Sequence, residues 1–368
     1  MDNAVTFLVR CFDRVAMGGV GMDVTILDGD RETVVAAQAG PAGRILLTPE
    51  AAERALGWVR KPHGWCRDEL CVPASAAAGA EHGGLLDPVA FAEILDRPVA
   101  TGTGVVAIGI SAQERSRALT GTAAPDFALP DADGVRHALS DLRGRKVALV
   151  FWGSWCGCRY DLPAWERRHA ALAGHGFSVL SVAVDRRTAD AAPWIAEAAV
   201  THPALIDTDG SVADLYDVLN VPTVLWIDEE GRIVRPHDTQ FATDLFRELS
   251  GLDSAAALAA LDRWVLTGDS GLSEEAVALH TRRATADRQA ARTEAALGLW
   301  LHRNGRQAEA GPHFARAERL APEDLTIWRG TMPLRGLDPM GDGYFAKRTA
   351  LTEAGIPIYR PLGDWQPA

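Results

Sequence analysis

The segment F-W-G-S-W-C-G-C-R-Y-D-L-P, residues 151 to 163, sets two thiols, Cys156 and Cys158, one residue apart. A cysteine that follows a strand and opens a helix has unpaired N–H groups and the positive end of the helix dipole beside it. Both stabilise the thiolate and lower its pKa. Cys156, after the apolar run V-A-L-V-F-W, is placed for that role. A second thiol close by can attack the mixed disulfide formed at the first and release the reduced product, and Cys158 is the candidate. Trp152 and Trp155 add apolar bulk that limits water at a thiolate and shapes the surface a substrate meets.

A second pair, Cys66 and Cys71, lies in H-G-W-C-R-D-E-L-C-V-P. Three readings stand side by side: small buried thiols on a loop, a redox relay or shared thiol site with the first pair, or metal ligands completed by His63 or His82. A C-x₄-C spacing alone is a weak metal signature, so neither metal nor cofactor is expected. The fifth cysteine, Cys11, stands alone between Arg10 and Phe12 and is read as packing.

These residues must be held by ordinary globular domains. The 368 residues suffice for two or three of them, and 47% hydrophobic with 23% charged content is that of a soluble protein. A net charge of -12 without a dense basic run argues against nucleic acid and anionic membranes as partners. The start has no basic region before its apolar run, and no stretch approaches a membrane span, so cytoplasm is the expected compartment.

Residues 1–118 read as a small α+β domain. It has two strands around Asp28-Gly29, a helix capped by Thr48 with Pro49 in its first turn, an Ala/Gly-rich loop over 74–84, a helix in D-P-V-A-F-A-E-I-L and a strand in V-V-A-I-G-I. Residues 119–252 alternate strands and helices, which predicts an α/β sheet covered by helices. Residues 253–330 are helical in pattern. Leu297, Gly298, Leu301, Ala310, Phe314, Ala317 and Pro322 fall on the spacing of one tetratricopeptide unit, whose apolar face must pack on something else, most simply the rest of the chain. Residues 331–368, rich in Pro, Gly and Trp, are expected to form an irregular tail.

Three stretches in order carry a resemblance: A-P-D-F-A-L-P-D-A-D-G from Ala124, L-S-D-L-R-G-R-K-V-A-L-V-F-W-G-S-W-C from Leu139, and V-P-T-V-L-W-I-D from Val221. The middle domain resembles the thioredoxin superfamily, and within it the TlpA/ResA-like redoxin oxidoreductases. That resemblance implies a thioredoxin-like fold and thiol-disulfide exchange. It also implies a cis-proline at Pro222, with Val221 and Pro222 offering a backbone edge to an extended substrate, an acid at Asp161 near the thiols, and a kinked helix at Pro163. A carboxylate at Asp161 could take the proton of the resolving thiol. Val150 stands where thioredoxins proper hold a buried aspartate.

The departure is W-C-G-C-R where relatives read W-C-x-P-C-R. A disulfide across one residue closes a smaller ring, departs from relaxed geometry and is more readily reduced, and Gly157 is expected to supply unusual backbone angles. The leading reading is an enzyme, a thiol-disulfide oxidoreductase acting on a protein or small-molecule disulfide with a separate electron donor. Two rivals stand beside it. One is a protein that handles Cu(I), Zn(II) or Hg(II) through Cys66, Cys71, Cys156 and Cys158, and the other a non-catalytic interaction protein on the same fold. A peroxidase is disfavoured, because Gly153 stands where such a site has threonine.

Overall fold

A computed structural model describes residues 21–29 and 31–362; Cys11 lies outside them. The chain divides into two compact units. The first ends at Asp96 and takes back Thr103–Val106, and the second comprises Arg97–Gly102 and everything from Ala107 on.

The first unit is rich in strand. Gly21–Asp28 and Arg31–Ala39 pair antiparallel about the Asp28-Gly29 turn, with Asp28 opposite Arg31. Thr48 caps the helix Pro49–Leu56 by accepting the Ala51 N–H, and Gly57 ends it at a φ of 74°, the left-handed conformation glycine adopts without penalty. Asp87 caps Pro88–Ile94 in the same way. The expected loop over 74–84 instead holds a helical turn, Ala74–Ala77, a 3-10 turn, Ala78–Ala80, and a short strand, Glu81–His82. Alanine, the best helix former, fills those turns.

Cys66 and Cys71 are not on a loop. They face each other on adjacent strands, Gly64–Arg67 and Leu70–Pro73, of a three-stranded sheet, and are joined by a disulfide.

In the second unit five strands lie in the order Ala204–Ile206, Phe177–Ala183, Lys146–Trp152, Thr223–Ile227, Ile233–Asp238. The first three run parallel, Thr223–Ile227 runs antiparallel to Lys146–Trp152, and Ile233–Asp238 reverses again beside it, so Thr223–Ile227 alone opposes the rest. Lys146–Trp152 is central, and from Val147 on every residue is buried, as a strand covered on both faces requires. Its register sets Phe151 opposite Thr223, so the loop that begins at Gly153 and the loop that ends at Pro222 emerge side by side. The Val221–Pro222 peptide is cis.

The helices Ala286–Arg303 and Gln307–Leu320 carry the repeat-like positions. Leu297, Leu301, Ala310, Phe314 and Ala317 are buried, and a Cβ on Gly298 would sit 2.9 Å from the Phe314 ring. Buried ion pairs tie this helical pair to the sheet domain: Arg288 to Asp217 at 3.0 Å, and Arg292 to Asp214 at 3.2 Å and Asp324 at 2.9 Å. The expected irregular tail contains a helix, Asp342–Glu353. Among the described residues no helix is long and apolar enough to cross a membrane.

Candidate functional site

Cys156 leaves the central strand's loop in an extended conformation, φ −112° and ψ 146°, and caps a 3-10 turn, Gly157–Asp161. The regular α-helix begins only at Leu162, with Pro163 in its first turn, where the missing N–H costs nothing. Pro163 therefore starts the α-helix and does not kink one. At Gly157 the requirement is space and not backbone freedom, because a Cβ there would lie 2.2 Å from the Phe246 ring.

The two thiols touch and differ. The Cys158 N–H donates to Cys156 Sγ at 3.4 Å, and Cys156 Sγ reaches the Val221 carbonyl oxygen at 3.5 Å, which joins the thiol loop to the cis-proline loop. Both are buried, at 4% and 2% exposure. Burial pushes the Cys156 thiol up. Against it stand the Cys158 thiol, the Arg329 guanidinium and the Cys158 N–H, which together bring Cys156 down to about 7. Burial and the neighbouring Cys156 hold Cys158 well above the ordinary thiol range.

Asp161, 1% exposed, accepts the Ala242 N–H at 3.1 Å and the Thr243 hydroxyl at 2.5 Å. Burial outweighs these bonds and raises its carboxyl to about 6. Trp155 donates to the Val184 carbonyl at 3.4 Å and packs so closely on Gly153 that a Cβ would fall 2.7 Å from its ring. Trp152 is buried in the core beneath, and its indole N–H finds no partner among the described residues.

Sequence reasoning missed two contributors. Asp185, just beyond the strand Phe177–Ala183, fixes the thiol loop by accepting the Ser154 N–H at 2.9 Å and its hydroxyl at 2.5 Å. The other is the cover. Arg329, Met340, Tyr344 and Tyr359 from the C-terminal part close over Cys156 and Cys158, leaving a cavity of about 10 Å³, room for about one water.

In the first unit, Cys66 is buried and Cys71 exposed, and His63 Nε2 lies 3.4 and 3.7 Å from their sulfurs. Among the described residues this is the group that could hold a metal, with its three ligand atoms within 4.8 Å of one another. Joined to each other, the sulfurs are not thiolates and cannot ligate until reduced. His82 is not part of the group; its Nε2 contacts Arg44 at 2.6 Å.

The AhpC/TSA family matches residues 120–235. The thiol-disulfide oxidoreductase ResA of Geobacillus thermodenitrificans is 32% identical over 121 residues, 33% of this chain and 70% of that protein. The chain belongs to the ResA-like thiol-disulfide oxidoreductases. ResA of Bacillus subtilis is 35% identical over 116 residues, 31% of this chain and 65% of that relative. The thioredoxin-like protein YneN of the same species is 37% identical over 123 residues, 32% and 70%. The thioredoxin domain of a Bacteroides vulgatus thiol-disulfide oxidoreductase is 29% identical over 32% of this chain and 86% of that one, with a TM-score of 0.30. Within this ResA-like chain, Cys156, Cys158, Asp161 and Pro222 fall inside the residues the family matches, whereas Phe246, Arg329, Met340, Tyr344 and Tyr359 fall outside.

Proposed function

We propose that Cys156 and Cys158 form the redox centre of this oxidoreductase, with Cys156 as nucleophile, Cys158 as resolving thiol, Asp161 as proton acceptor and Pro222 as substrate rest. The observation that carries the reading is the inequality of two touching thiols: Cys156 is drawn down to about 7 and Cys158 is pushed up. Near neutral pH such a pair has one thiolate ready to attack and one thiol held in reserve.

The Cys156 thiolate attacks one sulfur of a substrate disulfide, forms a mixed disulfide and expels the other sulfur as thiolate. Cys158 then gives its proton to Asp161 and attacks Cys156 Sγ, expelling the second substrate thiolate. The substrate disulfide has gained two electrons and the pair has become a Cys156–Cys158 disulfide. An external dithiol restores it by the same exchange in reverse. The substrate class is a protein or small-molecule disulfide, and the cover over the sulfurs must part to admit it.

The test is Cys158→Ser, which removes the resolving sulfur. Incubated with a disulfide substrate, the variant should accumulate a mixed disulfide at Cys156, read as added mass on the peptide that contains it. Mildly oxidised wild type should carry a Cys156–Cys158 disulfide. Free thiols at both positions, together with no trapped adduct, would sink the proposal.

A further inference from the structure

The chain carries a buried cation where its relatives' matched region ends well short. Arg329 follows the helical turn Leu325–Trp328, which Asp324 caps by accepting the Thr326 N–H at 3.1 Å. The Leu325 N–H donates to the Leu219 carbonyl at 2.7 Å, and Asn220 Nδ2 donates to the Ile358 carbonyl at 2.8 Å, so the C-terminal part is tied to the loop that ends in Pro222. Gly330 lets the backbone turn here, since a Cβ would meet the Thr326 carbonyl oxygen at 2.3 Å and would lie 3.6 Å from the Trp155 ring.

Arg329 is 3% exposed. Its guanidinium lies 3.5 Å over the Tyr344 ring and 5.4 Å from that of Trp155; Nε donates to the Pro339 carbonyl and Nη2 to Met340 Sδ, each at 2.8 Å. All these partners are neutral, and among the described residues no carboxylate pairs with it. Arginine stays charged, and a charge taken out of water without a counter-charge is strongly unfavourable. The cavity it lines holds one group that becomes an anion near neutral pH, the sulfur of Cys156.

We infer that Arg329 is the counter-ion of the Cys156 thiolate, a positioning residue that the C-terminal part of the chain supplies to the redox centre. This rests on the proposed role of Cys156 as nucleophile. Cation–π contacts with Tyr344 and Trp155 hold the guanidinium in place without neutralising it. The other titratable groups around the sulfur do not substitute for it. Cys158, Tyr344 and Tyr359 are kept neutral by burial, Asp161 opposes the thiolate, and Arg348 is turned to the Leu249 carbonyl.

The test titrates the thiolate by its ultraviolet absorbance in the full, reduced chain, with Cys156→Ala as the blank. Replacing Arg329 by Met should raise the midpoint by about one pH unit or more, a tenfold smaller thiolate fraction below it, and Arg329→Lys should recover most of the loss. A folded Arg329→Met protein with an unchanged midpoint would overturn the inference. Should that variant not fold, the wild type still decides. Alkylation of Cys156 by iodoacetate relative to the neutral iodoacetamide should exceed the ratio for free cysteine, because a fixed cation favours the anionic reagent, and a ratio at or below it would overturn the inference. Disulfide turnover is measured separately: a shifted titration without turnover would remove the oxidoreductase role and leave the ion pair standing.

Discussion

Asp161→Asn should gain stability relative to the wild-type reduced protein as pH rises through neutrality while slowing release of the mixed disulfide. Folding raises the carboxyl from the ordinary aspartate value of 3.8 to about 6, chiefly by burial. An acid raised in this way binds more protons folded than unfolded between those values, so stability is lost as pH rises through the window. At ~1.36 kcal/mol per pH unit the gap from 3.8 to about 6 amounts to about 3 kcal/mol above it, of which roughly 1.4 kcal/mol is lost between about pH 5 and about pH 8. Asparagine carries no such loss. Its carbonyl can accept the Ala242 N–H and its amide can donate to the Thr243 hydroxyl once that hydroxyl turns, while the Thr243 N–H, which also bonds the carboxylate, loses its acceptor at a cost that does not vary with pH. Denaturant unfolding in a Cys156→Ala background, which removes the thiolate's own titration, should therefore show the variant's advantage growing by that amount across the range. An advantage that is constant or shrinks would refute the reasoning about burial. With both cysteines present, the same substitution should make the mixed disulfide persist in single-turnover experiments. Resolution as fast as in wild type would remove Asp161 as proton acceptor.

Inserting proline between Gly157 and Cys158 should relax the Cys156–Cys158 disulfide and lower its reduction potential by about 30 mV or more, a difference of ~1.4 kcal/mol for a two-electron couple, measured against glutathione. Equal potentials would show that the spacing does not tune this couple. Protein purified in air should contain no stoichiometric metal, because Cys66 and Cys71 are joined; zinc added after reduction is expected at about one per chain or less, lost in Cys66→Ser, and elemental analysis finding metal before reduction would contradict the bonded state.

The parts of the site that are close in sequence were legible, because local chemistry specifies them. The apolar run Val147–Trp152 announces a buried strand and the two cysteines follow it directly, whereas the facing V-P-T loop, distant in sequence, was implied by the resemblance. Asp161 came from the resemblance, three residues beyond Cys158, and the structure buries it and raises its carboxyl to about 6. The hairpin of Cys66 and Cys71 was not legible. Gly64, Trp65 and Cys66 are all buried, so the strand lacks the alternation that betrays a half-exposed one. The helix Asp342–Glu353 escaped for a related reason: its buried residues are Tyr344 and Leu351, too sparse to set a helical stripe. Arg329 could not be found at all, because nothing in W-R-G-T-M announces a partner that lies far back along the chain.

The cover also bears on the missing residue of the C-x-C motif. Phe246 lies against Gly157 so closely that a single methyl there would fall 2.2 Å from its ring, and Tyr160 stacks on the same aromatic group at 6.5 Å between centroids. A proline between the cysteines, as the resemblance implies for the family, would need room in this neighbourhood, and a packed ring yields it only by moving. The short spacing suits the closed cover: Gly157, the one residue between the thiols, has no side chain to meet Phe246. It follows that inserting proline acts on two properties together. It relaxes the disulfide ring and, by displacing Phe246, opens the cavity, so Cys156 should alkylate faster in the inserted protein even where its thiolate fraction is unchanged. A lower potential with unchanged accessibility would separate the two effects and assign the tuning to ring geometry alone.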